Sequence, residues 1–160
     1  MKPIILQTAQ VRGILDGRVT AFRVPLKPQP NHAHTVMGYE NGIWSLMCGH
    51  IENGTCIDWE ECVKAPYDFD DILYVREAWR PTIENYGYDE TGELEIWEGP
   101  PYFYKADGGV SAFGWRSSAT MPRDAARLFL RVVDVRVERV QDANLWTVYV
   151  EFERCEKEES

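Results

Sequence analysis

Cys48-x-His50, Cys56 and Cys62 fall close together in the chain. Thiolates and imidazoles are the side chains that hold zinc, and a structural site takes four of them, ordinarily as two close pairs on a hairpin. Here there is one close pair, no Cys-x-x-Cys, and loose spacing between the remaining cysteines. The residues therefore read first as buried or incidental thiols beside a histidine, and only second as a metal site. No cofactor is expected. His32 and His34 stand in a Pro-rich stretch and read as solvated. Nucleophilic catalysis has no signature either: there is no Gly-x-Ser-x-Gly, no His-Glu-x-x-His, and no glycine-rich phosphate loop ahead of a helix. "GGVSAFG" (108–114) reads as a loop.

Arginines and rings are more informative. Arg18, Arg23, Arg76, Lys105, Arg116, Arg123 and Arg127 are far apart in sequence, yet each stands at a strand edge or a strand-to-helix junction. In "DILYVREAW" (71–79), strict alternation places Arg76 with Ile72, Tyr74 and Ala78, so its stem is expected to be partly buried. A buried guanidinium needs an anion, either an internal carboxylate or a ligand phosphate. Glu77 is adjacent but points to the opposite face. Trp79, Tyr104 and Trp115 offer planes on which a base could stack, or else pack as ordinary core.

The elements that must position these groups are short. "PIIL" (3–6) is a strand. Thr8 caps a helix to Asp16, with Val11, Ile14 and Leu15 on one face and Gly17 ending it. "VTAFRV" (19–24) is a strand closed by Pro25. Residues 25–42, rich in Pro and Gly, read as a surface loop. "GIWSLM" (42–47) is a strand, Asn53-Gly54 a hairpin turn, and residues 58–70 acidic and mixed. "YDETGELEIWEG" (88–99) is two polar strands about Thr91-Gly92. "YFYKADGG" (102–109) is a strand and a turn. Pro122 starts a helix of one or two turns. In "LFLRVVDVRVERV" the alternation slips by one residue after Val132, which predicts a bulge or corner. "LWTVYVEFE" (145–153) puts Trp146, Val148, Val150 and Phe152 on one face.

With 160 residues, the chain reads as one domain, 1–153, with a charged tail, 154–160. Its class is α+β, mainly β: a small barrel with a few short flanking helices. A net charge of −9 argues against a general nucleic-acid coat but leaves room for a small basic pocket, or for a basic partner. No apolar run is long enough to span a membrane, and the start lacks a signal-peptide pattern. A cytoplasmic location with reduced cysteines is expected.

The blocks "VRGILDGRVTAFRVPLKPQP", "APYDFDDILYVREAWRP", "YKADGG", "WRSSATMPRDAARLFLRVVDVRVERVQD" and "NLWTVYVEFER" occur in this order. They resemble the phage-encoded branch of the ASCH domain family, of the PUA-like superfamily. There the matching stretches are GRKTQTRR, CPYGxPGDxLWVRE, YxAD, WxPSxxMPRWAxR and NPWVWVIEFER. The resemblance covers nearly the whole chain outside 31–60 and 84–100. It implies a PUA-like β-barrel with a cleft, RNA or modified-nucleoside binding, and, if phage-encoded, the cytoplasm of a bacterial host.

Some small members of that family hydrolyse N4-acetylcytidine with a lysine and a threonine of the GRKTxT stretch and a glutamate elsewhere. This chain keeps Gly17, Arg18, Thr20 and Arg23 but has Val19 for the lysine, Phe22 for the threonine and Val24 for the second arginine. Asp68 and Asp70 stand about where the family has glycine, and "VQDANLWT" joins the last two strands directly.

The first reading is thus a module that binds RNA, a nucleotide or a modified nucleoside in a barrel cleft without catalysis. Its candidate ligand contacts are Arg18, Thr20, Arg23, Arg76, Trp79, Tyr104, Lys105, Trp115, Arg116 and Arg123. Two alternatives stand beside it. One is an acidic phage protein that binds and inhibits a host nucleic-acid-processing or defence protein. The other is an amidohydrolase on acylated cytidine with a rearranged site that would use Glu77.

Overall fold

A computed structural model describes residues 1–82, 86–96, 100–109 and 114–157. In chain order its elements are β1 (Lys2–Ile5), α1 (Thr8–Leu15), β2 (Ala21–Pro25), β3 (Ala33–Glu40), β4 (Ile43–Glu52), β5 (Thr55–Lys64), β6 (Ile72–Arg76), β7 (Trp79–Pro81), β8 (Tyr86–Tyr88), β9 (Leu94–Ile96), β10 (Tyr102–Tyr104), β11 (Phe129–Val140) and β12 (Leu145–Cys155), with single 3-10 turns between some of them. The protein is mainly β, with one short α-helix among the described residues, as its alternating patterns indicate. No helix among the described residues is long and apolar enough to cross a membrane.

The chain forms two compact units. The first comprises 1–20, 72–130 and 154–160. Here β1 and β6 pair in parallel, with Lys2 opposite Leu73 and Ile5 opposite Arg76. Leu73, Tyr74 and Val75 are all buried, so β6 is covered on both faces, as parallel strands are. Val11 and Ile14 turn the apolar face of α1 inward. The Gln7 N–H donates to the Gln10 side chain at 2.9 Å, so the cap is Gln7 rather than the expected Thr8, which is instead the first helical residue. Gly17, at φ 75°, ends it as read. The strand predicted over 71–79 breaks at Glu77-Ala78 into β6 and β7. β7 pairs antiparallel with β10, setting Trp79 opposite Tyr104 and Arg80 opposite Phe103. Gly92, at φ 86°, turns β8 into β9.

The second unit comprises 21–71 and 131–153. β2 pairs antiparallel with β12, Arg23 facing Tyr149. The predicted slip in β11 is present: Val132 is buried, Val133 exposed, and Val135 and Val137 buried again. In β12, Trp146, Val148, Val150 and Phe152 are buried, as alternation required. A three-stranded sheet, β3-β4-β5, forms a meander.

Two readings are overturned here. Residues 33–40 are strand β3, not loop, because Asn41-Gly42 is itself a two-residue hairpin turn, both residues at positive φ (50° and 82°). The acidic stretch after 55 is strand β5 in continuous register with β4. Among the described residues the expected barrel is also absent, since none of their sheets closes on itself. β1 and β2 are end strands carrying Pro3 and Pro25, and proline lacks the N–H that a further strand would need. Arg154 and Cys155, placed in the tail by the sequence, are the last residues of β12; residues 158–160 lie outside the described set.

Candidate anion-binding site

The first unit gathers arginines onto aromatic rings. Alternation along β6 brings Tyr74 and Arg76 to one face, as read from the sequence. The Arg76 guanidinium carbon lies 5.7 Å from the Tyr74 ring centroid, and its Nη2 donates to the Tyr74 hydroxyl at 3.4 Å. The same ring has a second cation, Arg123, at 5.6 Å. Arg123 opens a 3-10 turn (Arg123–Ala125) that follows Pro122, and the burial of Met121 and Ala125 beside Trp79 anchors that turn. The Nε of Arg76 is buried and has no hydrogen-bond partner. Among the described residues, neither Arg76 nor Arg123 has a carboxylate partner. A buried guanidinium donor without an acceptor costs about 1–3 kcal/mol or more, so such a group calls for a ligand, ion or water.

Glu77, one residue further on, is 1% exposed and fully engaged. Arg127 donates to its two oxygens at 3.1 and 2.9 Å and reaches Asp107 at 2.7 Å. Burial raises the Glu77 pKa, against the lowering effect of Arg127. Burial alone would lower the Arg127 pKa, but its bonds to Glu77 and Asp107 carry it upward. Arg127 also lies 4.1 Å over the Tyr104 ring, whose hydroxyl donates to the Ala125 carbonyl. Burial pushes the Tyr104 phenol up to about 12. A carboxylate held at both oxygens by one guanidinium is a structural anchor and is badly placed to accept a proton from a substrate.

The three rings expected to receive bases each carry an arginine already. Trp79 is 5% exposed, donates from Nε1 toward the Ser117 carbonyl at 3.3 Å and lies under Arg116 at 5.3 Å. Trp115 is under Arg80 at 5.6 Å, and Arg80 also covers Phe103 at 4.8 Å. Arg116 is exposed, and its backbone brackets Trp79 in a two-residue bridge. Lys105 is exposed; its carbonyl accepts from Arg12 at 3.3 Å.

Other candidates lie elsewhere. Arg18 is exposed and paired with Asp16 at 2.9 Å, and Thr20 is exposed. Arg23 belongs to the second unit, where Glu138 neutralises it at 2.8 Å and Tyr149 lies beneath it at 5.1 Å. The cysteine–histidine group is split across a sheet. The register of β4 and β5 puts Cys48 and His50 on one face and Cys56 and Cys62 on the other. Cys48 is buried, donates to Glu61 at 3.4 Å, and burial pushes its thiol up to about 11. No cluster of three or more metal-binding side chains occurs among the described residues.

Tyr74, Arg80 and Asp107 were not singled out in the sequence. Tyr74 could have been, since it stands two residues before Arg76. The pairing of Glu77 with Arg127 spans fifty positions and leaves no local trace. Comparison with family profiles, characterised proteins and solved structures gives no match.

Proposed function

We propose that the chain is an ASCH-type, PUA-like module that binds RNA or a nucleotide without catalysis, through the first unit. The observation that carries this reading is the pair of guanidiniums, Arg76 and Arg123, on the Tyr74 ring without a carboxylate among the described residues, one of them with a buried unsatisfied donor. Phosphate oxygens supply such acceptors. The guanidinium of Arg116 lies on Trp79, an arginine–ring pairing of the kind used in RNA recognition. With no closed barrel among the described residues, the binding surface is this arginine–ring face rather than a barrel interior.

The places of the family's lysine and threonine support a reading without hydrolysis. Val19 is half-buried, against Gly13. Phe22 packs on Tyr67 and Phe152 at 5.9 and 5.6 Å. Asp70 takes φ 64°, a left-handed conformation that suits the glycine of the resembling family.

Fluorescence anisotropy with a short single-stranded RNA and with nucleoside monophosphates tests the reading. Arg76→Ala and Arg123→Ala each remove bonds to an anion worth roughly 1.5–3 kcal/mol, so each weakens binding about tenfold or more and flattens its salt dependence. Absence of binding to every probe, or binding that neither substitution changes, overturns it.

A further inference from the structure

The two outer strands of the three-stranded sheet follow different plans. β3 is irregular: its register with β4 shifts between Ala33 and Thr35 and again between Val36 and Gly38. Such breaks twist an edge and spoil it for further pairing. β5 has none. It matches β4 without interruption from Thr55 to Lys64, contains no proline, and has no buried residue. Its outer side pairs with none of the described strands.

The hairpin decides which backbone groups face outward. Asn53 and Gly54 have φ 52° and 78°, both positive as in a type I′ two-residue turn. In that hairpin Glu52 and Thr55 exchange backbone bonds, and bonded and non-bonded pairs then alternate along the ladder. Ile57, Trp59 and Glu61 accordingly spend their N–H and C=O groups on β4. Cys56, Asp58, Glu60 and Cys62 direct theirs to the open side. On that same set lie two acids, Asp58 and Glu60, that have no ion-pair or hydrogen-bond partner among the described residues. The opposite face is apolar at Ile57, Trp59 and Val63.

We infer that β5 is a docking edge for an extended segment of a second protein, added antiparallel, in which Lys or Arg alternates with apolar residues. A second copy of this chain is a poor occupant. Antiparallel self-pairing about the middle of β5 sets Asp58 opposite Glu60 of the other copy, or Glu60 opposite Glu60, and like charges directly opposite are destabilising. A basic segment meets the same acids with complementary charge, and its backbone completes the ladder.

The geometry also fixes the register of hydrogen bonding. Partner residues opposite Asp58 and Glu60 share their face and must direct their own N–H groups to β5. In a peptide of alternating Arg and Val, the arginine amides therefore bond β5 and the valine amides face away.

The test uses the full chain and labelled eight-residue Arg-Val peptides in fluorescence anisotropy at low salt. The unmodified peptide binds saturably and weakens as salt is raised through about 0.3 M. N-methylation of the arginine amides weakens binding at least tenfold, whereas N-methylation of the valine amides changes it little. Asp58→Lys with Glu60→Lys weakens it at least tenfold, with the far-UV circular dichroism of the chain unchanged. Equal loss from both methylations, loss from neither, or binding unaffected by the charge reversal overturns the inference. So does light scattering that shows a dimer dissolved by Glu60→Pro.

Discussion

Replacing Arg127 with Met keeps most of the side-chain bulk and removes the charge that holds Glu77. The carboxylate is 1% exposed and loses both charged hydrogen bonds, at 3.1 and 2.9 Å. Breaking a buried pair from one side costs about 3–5 kcal/mol, because an uncompensated charge is left in the interior. That corresponds to roughly two to three and a half decades in the unfolding equilibrium, or a fall in Tm of about 6–20 °C at this chain length.

The penalty is pH-dependent. The folded pKa of Glu77 is raised, burial outweighing Arg127. A raised pKa means that the group's contribution to stability is fully present below its unfolded value and is lost as pH rises through the folded value. Without Arg127 both lowering influences vanish, so the folded value climbs and the loss extends to higher pH. Urea unfolding followed by circular dichroism, at about pH 5 and pH 8, should show a penalty that is large at the higher pH and shrinks on acidification. Glu77→Gln in the Arg127→Met background should recover part of it at the higher pH. A penalty below about 1 kcal/mol at the higher pH, the same penalty at both, or no recovery from Glu77→Gln would refute the buried-charge account.

Three further outcomes follow from local geometry. Cys48, buried with its thiol pushed up to about 11, should resist alkylation in the native protein while exposed Cys56 and Cys62 react; mass spectrometry of partially labelled peptides reads the order. Gly13→Ala places a Cβ 2.4 Å from Val19 Cγ2, so it should cost about 1–3 kcal/mol in denaturant melts despite the better helix former, and Val19→Ala should relieve it. Asp70→Gly removes a side chain from a left-handed backbone, and should leave stability unchanged or raise it by up to about 1 kcal/mol in the same assay.

What the sequence disclosed divides by range. Period-two patterns gave β6 and β12, and the phase slip in β11 was visible because Val132, Val135 and Val137 break a strict alternation. Asn53-Gly54 stands out as a hairpin turn, but the same dipeptide at 41–42 follows prolines that read as a loop, and these hide β3 with it. β5 is not legible in the sequence because its acids hide an alternation that only pairing with β4 makes sense of. The companionship of Arg76 and Tyr74 was legible from two-residue spacing. Arg123 joins them, and Arg127 takes Glu77, through contacts about fifty residues distant in the chain, and no local rule reaches that far.

The meander of the second unit is joined by two-residue connections, whereas the parallel partners Lys2 and Leu73 of the first are about seventy positions apart. Closing a hairpin takes microseconds, and bringing distant segments together carries a larger entropic cost before any contact rewards it. The expected order of events is that 33–64 zips up first, while the ends that build the first unit are still searching. Amides of β4 should then gain protection from hydrogen exchange in a refolding pulse before those of β1 and β6 do.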